Sequence, residues 1–530
     1  MKTAVLMRMY VFVLLVFLMM TGAHLPGMAA ETTSPPVPAD ELAIPARYVM
    51  VDSFSNGLAK VLLNGRWGFI DKTGKYVTAQ YQEAHPFCEG LAVVSSSKKY
   101  GFIDSTGKEV IPQKYDEVDD FSNGLAKVWV RKWWVFGKYG LINKAGEIIV
   151  PVKYDDVWHF SDGMAAVGRF EAVPVKLPLE FTLYPHEDLD APSGYKWGYV
   201  DNTGRRVIPQ IYDRVRDFKE GMAAVQRYGR WGFINKSGKE VTRFRYKNDE
   251  IKDFSDGLAW VSRKQKWGCI DEDGKMAIPL MYDWAEPFHD RLANVKINGK
   301  WGIIDTTGRE VIPMKYDELA TVSDGLTRVK FNGRWGVIDN TGKEIIPIRY
   351  DEVWSFSEGL AGVRLNNKWG FVDITGTEVI PLKYDNIARE GFSEGIAGVQ
   401  INNKWGYIDV TGKEVTPLKY DSVLQFTNGL GRVELNGKFG IIDKTGTAVT
   451  PLKYDAIRRP TEGLIPVCID KRWGAIDKTG REVITPKYEE IRDFSDGMAA
   501  VCVIVRIVGN GYVAVNWGFI ANPLPAPNPQ

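Results

Sequence analysis

Three triplets, Lys72-Thr73-Gly74, Lys444-Thr445-Gly446 and Lys478-Thr479-Gly480, match the Lys-Thr-Gly element of serine acyl-enzymes, and Ser95-Ser96-Ser97-Lys98 matches the Ser-x-x-Lys that carries their nucleophile. No Ser-Asp-Asn accompanies them, and each triplet follows an Asp, so the triplets read as turn corners. Asp271-Glu272-Asp273-Gly274 is the most acidic corner, without the spaced ligands and closing Glu of a calcium loop. The histidines His24, His85, His159, His186 and His289 show no zinc-helix spacing, and neither a Gly-x-Ser-x-Gly elbow nor a phosphate loop occurs. A glycosidase needs two carboxylates a few ångströms apart; carboxylates abound, but nearly all sit at repeated corners and none stands out. No catalytic residue, metal ligand or cofactor is assigned. The four cysteines, Cys88, Cys269, Cys468 and Cys502, are expected to be free thiols; Cys468 and Cys502 occupy equivalent places and would pair only with Cα atoms within about 7 Å.

One cluster invites binding chemistry. Trp129, Trp133, Trp134, Phe136 and Tyr139 are interleaved with Arg131, Lys132 and Lys138, an aromatic and cationic set suited to stacking on a glycan or to cation-π contact with a polymer. Trp158 and Trp354 add two further candidates. They follow a Tyr-Asp-x-Val segment at a place held elsewhere by Asp119, Arg216, Arg458 or Arg492, a position so often charged that exposure is expected.

The elements that position these residues come from a repeat. An aromatic-Gly pair occurs at Trp67, Tyr100, Tyr139, Trp197, Trp231, Trp267, Trp301, Trp335, Trp369, Trp405, Phe439, Trp473 and Trp517, and most gaps are 33 to 36 residues. Such self-similarity marks an array in which each unit buries its apolar face by stacking on its neighbours. Within a unit, Leu360-Ala361-Gly362-Val363-Arg364-Leu365 alternates with a period of two, the mark of a half-buried strand. Asn-Gly or Asn-Asn, as at Asn332-Gly333, then signals a tight hairpin. The Trp-Gly strand runs back to an Asp-x-x-Gly corner, and a third strand such as Glu378-Val379-Ile380-Pro381 follows, its Pro suited to a strand end or edge. The Gly after each Trp predicts close approach of a neighbouring backbone or ring. The Trp itself reads as the core anchor of its unit, because a buried aromatic hides about 150 to 250 Å².

Lys300-Trp301-Gly302-Ile303-Ile304-Asp305, followed by Gly308-Arg309-Glu310-Val311-Ile312-Pro313 and Tyr316-Asp317, resembles the WG-repeat (KWG-repeat) proteins of bacteria. The resemblance spans residues from about Ile44 to Ile520. It implies β-rich tandem repeats, often secreted or surface-associated, with no general catalytic site in the repeat.

Residues 1–30 have the layout of a secretory signal: Lys2 and Arg8, an apolar run over residues 9–20, then Met28-Ala29-Ala30. The run is too short for a confident membrane span, so no stable span is expected after cleavage. Residues 31–43, with Ser34-Pro35-Pro36, read as a linker; 44–521 as about thirteen units; 522–530 as a Pro-rich tail. The net charge of +1 argues against nucleic acid and against a polybasic membrane patch.

The array opens on a third strand, Ile44-Pro45-Ala46-Arg47-Tyr48, and closes on Trp517-Gly518-Phe519-Ile520, two halves of one unit. Closure into β-propellers needs this arrangement, and an open stack cut in arbitrary phase also shows it. Units of about 34 residues are short for four full strands. The expectation is therefore an all-β, open, curved solenoid or superhelix of three-stranded antiparallel meanders, with one or two β-propellers as the alternative. Departures from the period, near residues 129–138, 169–196 and 503–516, all fall in the hairpin before the Trp-Gly strand, and hence on one face. The second holds the acidic run His186-Glu187-Asp188-Leu189-Asp190; the third reads as extra apolar strand.

The functional expectation is an exported, non-enzymatic scaffold, secreted or associated with the cell envelope, that binds a cell-wall glycan or an extracellular protein. The alternatives are a glycan hydrolase using insertion residues such as Glu187 and Asp188, or a purely structural envelope protein.

Overall fold

The computed structural model describes residues 42–132, 137–171, 194–321, 325–508 and 512–524. Among them the chain forms thirteen separate antiparallel sheets, nine of four strands and four of three, and the only helical element is the turn Asn248–Glu250. We number the sheets as blades 1 to 13 in chain order.

Blade 7 shows the unit. A short strand, Trp284–Ala285, is followed by the hairpin strand Leu292–Ile297, the Trp-Gly strand Lys300–Asp305 and the Pro strand Glu310–Tyr316. The hairpin turn has the left-handed backbone that Asn-Gly supplies, Asn298 at φ 51° and Gly299 at φ 80°. At the next corner the Asp305 carboxylate accepts from the backbone and hydroxyl of Thr307 at 2.9 and 2.6 Å, while Gly308 takes φ 81°. The unit therefore has one strand more than the three-stranded meander expected. The extra strand fits within the repeat because in most blades it is only two residues long.

In the blades with a continuous Pro strand, the Gly of Trp-Gly is fixed by a bulge. Trp301 pairs with Tyr316 and Ile303 with Ile312, so Gly302 alone lies opposite three residues of the other strand. The surplus backbone presses onto Gly302, where a Cβ would lie 2.6 Å from the Ile312 carbonyl oxygen.

Blades 1, 5, 10 and 11 lack a continuous Pro strand and keep only isolated bridges there. Each carries Thr where the others carry Ile or Val. The buried hydroxyls of Thr78, Thr242, Thr416 and Thr450 accept from the backbone N–H groups of Phe69, Phe233, Tyr407 and Ile441, at 3.2 Å in the first case and 2.9 Å in the others. A side chain has replaced a ladder bond.

The core lies between blades, and its most regular member is not the Trp. Trp231, Trp267, Trp369 and Trp517 are buried, while Trp67, Trp197, Trp301, Trp335, Trp405 and Trp473 are half-buried. The tyrosine that ends each Pro strand, or bridges alone in its place, is buried throughout: Tyr48, Tyr81, Tyr115, Tyr154, Tyr212, Tyr246, Tyr282, Tyr316, Tyr350, Tyr384, Tyr420, Tyr454 and Tyr488 are all 6% exposed or less.

The expectation of an open superhelix gives way to the propeller alternative: the array is a closed, propeller-like ring. Ile44–Tyr48 supplies the fourth strand of blade 13, pairing antiparallel with Tyr512–Ala521 through Ile44 opposite Phe519 and Tyr48 opposite Trp517. The seam uses the bonds that join any two neighbours. Arg458 Nη1 donates to the Ile491 carbonyl of the next blade at 2.7 Å, and Arg492 Nη1 donates across the seam to Val51 at 2.6 Å. Ser393 Oγ donates to the Phe426 carbonyl at 3.1 Å, and Ser495 Oγ to Phe54 at 2.7 Å. The Glu358 carboxylate accepts from the N–H of Gly395 at 2.8 Å, and Asp496 accepts from that of Gly57 at 2.7 Å. With the same interface at the seam as elsewhere, every blade has two neighbours and no exposed end remains.

Candidate binding surface

The repeated charged residues clamp blades together. The Lys before Trp-Gly reaches the Asp that opens the next blade: Lys368 Nζ lies 2.6 Å from Asp385, Lys404 2.5 Å from Asp421 and Lys438 2.5 Å from Asp455. The second oxygen of that Asp accepts from the hairpin backbone of its own blade, as Asp385 does from the N–H of Asn402 at 2.7 Å. These bonds hold the carboxyls of Asp385, Asp421 and Asp455 below their usual range, with the Lys as first cause. Carboxylates of the Asp-x-Thr-Gly corners are lowered by the Thr hydroxyl first, Asp305 to about 2. The Lys-Thr-Gly triplets are such corners: Thr73 Oγ1 donates to Asp71 at 2.6 Å, Thr445 Oγ1 to Asp443 at 2.6 Å. Among the described residues no three His, Cys, Asp or Glu side chains gather as metal ligands would. The four cysteines are free thiols, and burial pushes each thiol pKa up.

The aromatic candidates divide. Trp133, Trp134 and Phe136 lie outside the described residues, as do Glu187 and Asp188. Trp129 and Tyr139 face each other across the lengthened hairpin of blade 3, half-buried, ring centres 6.4 Å apart. Trp129 lies against Gly137, where a Cβ would meet its ring at 2.1 Å. Cations border the pair: Arg131 is 5.6 Å from the Trp129 ring centre, and Lys127 Nζ is 4.4 Å from that of Tyr139 while it pairs with Asp156 of blade 4 at 2.5 Å.

Blade 4 continues the aromatic surface. Trp158 packs on Trp197 with ring centres 5.0 Å apart, Trp197 on Tyr195 at 6.0 Å, and Tyr195 on Phe170 at 5.5 Å. Phe170 is exposed; the other three are half-buried. Burial first, then the charges of Glu117 and Asp156, pushes the Tyr139 hydroxyl up to about 12. Burial and then Asp155 raise Tyr195. Both phenols stay neutral donors at physiological pH.

Trp354 sits alone on blade 9, 4.3 Å from Trp369, its Nε1 donating to Glu352 at 2.8 Å. It covers the Trp of its own blade, as Arg458 covers Trp473 at 4.0 Å and Arg492 covers Trp517 at 4.3 Å. Trp158 does the same in blade 4. The position is thus a lid on the Trp-Gly ring rather than a bare surface site, and Trp354 is brought together with none of the other candidates.

Sequence reasoning passed over Phe170 and Tyr195, which flank the second insertion and pair directly across it, and the exposed Tyr228 and Trp284. The signal was available: aromatic residues at the two last paired positions of a lengthened hairpin. The lengthened hairpins belong to blades 3, 4 and 13, where pairing extends to Arg131 opposite Gly137, Phe170 opposite Tyr195 and Val508 opposite Tyr512. Closure sets blade 13 against blade 1, so all three fall within one arc of five consecutive blades.

Comparison with known proteins gives a family. None of the curated proteins matches the chain. Among solved structures, a eukaryotic initiation factor is similar over 59% of this chain and 92% of that one, at 13% identity and TM-score 0.28. The extracellular domain of a putative hybrid two-component system from B. thetaiotaomicron is similar over 90% and 82%, at 9% identity and TM-score 0.22. PorZ, described as a bacterial surface component of the type-IX secretion system of Porphyromonas gingivalis, is similar over 87% and 72%, at 9% identity and TM-score 0.19. These scores are too low for anything about function to follow. The model of the WG containing repeat, in contrast, matches thirteen times, from residues 40–67 and 67–100 through to 439–473 and 473–503. With its Trp-Gly strands, Asp-x-Thr-Gly corners and Tyr-Asp clamps repeated around the ring, the chain belongs to the WG-repeat family.

Proposed function

We propose that the chain is an exported, non-enzymatic scaffold whose hairpin rim on blades 3 and 4 binds a glycan of the cell envelope. The observation that carries this reading is the run of aromatic side chains Trp129, Tyr139, Tyr195 and Phe170, half-buried or exposed, bordered by Arg131, Lys127 and Lys138. Aromatic faces stack on the apolar face of a sugar ring while neighbouring donors and acceptors reach its hydroxyls. The Lys and Asp side chains and the neutral phenols supply that second kind of contact. Export is supported by the signal layout of residues 1–30. No helix among the described residues is long and apolar enough to cross a membrane. A non-enzymatic role is supported by the clamp and corner carboxylates, whose oxygens are taken up by N–H and hydroxyl donors.

Retention on purified peptidoglycan tests the proposal, comparing the full chain with a Trp129→Ala, Tyr195→Ala variant. At roughly 1 kcal/mol for each stacked ring, the pair of substitutions is expected to weaken binding about tenfold or more. Unchanged retention, or no retention of the parent chain, contradicts it.

A further inference from the structure

A second surface lies at the corners that join the short strand to the hairpin strand, the end of the blades opposite the Asn-Gly turns. There a pocket of about 110 Å³ opens among blades 10, 11 and 12. Arg432, Arg458 and Arg459 line it, together with Leu424, Thr427 and the carboxylate of Glu390.

The local sequence explains the opening. Blade 11 has Leu424 at the lid position that carries Trp in blades 4 and 9 and Arg in blades 5, 12 and 13, so its lock to the next blade comes instead from the hairpin strand. Arg432, directly opposite Leu424, donates through Nη1 to the Ile457 carbonyl. Arg458 meanwhile donates to Ile491 and lies over Trp473. Two locking arginines from adjacent blades thus fall side by side, and Arg459, exposed, follows directly. Among the described residues Arg459 has no carboxylate partner, and the lining holds three guanidinium groups against one carboxylate. Burial first, and then the neighbouring charge of Arg459, hold Arg432 below its usual range.

We propose that this pocket is an anion site that takes the phosphate or carboxylate group of a small ligand. A guanidinium offers a planar fork of donors matched to either oxyanion. Arg432 and Arg458 are each held by a carbonyl bond on one nitrogen, so they are already oriented, and the exposed Arg459 completes the site. The opening has room for one such group. The site is independent of the aromatic rim on blades 3 and 4.

Calorimetric titration of the full chain with inorganic phosphate, and separately with acetate, at constant ionic strength in chloride, tests this. Saturable binding of at least one of the two is expected, and the stronger names the ligand group. Arg459→Gln should weaken it about ten- to a hundredfold, the loss of one charge-assisted contact. Glu390→Gln should tighten it, and Arg389→Gln, exposed on the same corner but outside the lining, should leave it unchanged. Arg459 carries none of the bonds between blades, so its variant is expected to fold with the parent melting temperature. No saturable heat with either anion up to about 10 mM, a constant near the weakest on the usual affinity scale, or equal binding by parent and Arg459→Gln, would overturn the proposal.

Discussion

At the scale of the residue, the ring rests on tyrosine more than on tryptophan. The Trp-Gly pair announces the repeat because Trp is rare and Gly is forced by the bulge in most blades, yet burial is most uniform at the Tyr that follows the Trp-Gly strand. Rarity made the Trp visible in the sequence; the Tyr, followed by Asp, looked like a turn residue. Tyr350→Ala is therefore expected to cost about 3 to 5 kcal/mol in urea unfolding, and Trp335→Ala, half-exposed, less than Tyr350→Ala. Equal or reversed losses would count against this order. Gly370→Ala places a Cβ 2.4 Å from the Ile380 carbonyl oxygen and should destabilise by about 1 to 3 kcal/mol in the same urea unfolding. The carboxylates give a pH dependence with a definite sign. Their folded pKa values are lowered, so the unfolded chain binds more protons in acid, and their contribution is complete above the unfolded value and lost as pH falls through the folded one. Melting temperature should hold from neutrality down to about pH 5 and drop from about pH 4 towards pH 2, the value Asp305 approaches. A melting temperature that stays flat through that interval would show that the corners and clamps contribute nothing.

At the scale of the element, the hairpin, the Asp-x-x-Gly corner and the Pro strand were legible because each is set by local chemistry: positive φ at Asn-Gly, a carboxylate capping its own turn, a period of two. The short first strand was not. Two residues such as Trp284–Ala285 carry no periodicity, and they pair only because the neighbouring blade holds them. The difference between Thr and Ile or Val was present in the sequence but has meaning only once the bulged partner strand is known. Thr416→Ala removes the hydroxyl that satisfies the Tyr407 N–H and should cost about 1 to 3 kcal/mol; a loss of only a few tenths would mean that the backbone re-forms the ladder by itself. In the candidate site the same limit applies. Trp129 and Tyr139 were recognisable as a cluster within one hairpin, whereas Phe170 and Tyr195, separated by the second insertion, meet only through strand register.

At the scale of the whole molecule, the complementary ends of the array were visible, but whether they meet depends on the small rotation accumulated between blades, which no single unit encodes. Closure has consequences beyond shape. It covers the apolar faces of the first and last blades, and it gathers three lengthened hairpins from both ends of the sequence onto one arc. Removing residues 1–48 takes away Ile44–Tyr48 and leaves the Trp517 to Phe519 strand as an open edge. The truncated chain is expected to melt lower and to self-associate in sedimentation, while an unchanged monomer would make the seam dispensable. The most direct test of the ring is the distance across that seam. Ser53 and Asp493 occupy equivalent exposed places in blades 1 and 13. With the four native cysteines replaced by Ala, spin labels at Ser53→Cys and Asp493→Cys should give one narrow distance of about 10 to 25 Å by double electron–electron resonance, the span of one packed sheet spacing plus the labels. An open stack would separate them by twelve spacings of about 10 Å, or about 120 Å, and absence of any short distance would contradict the closed ring.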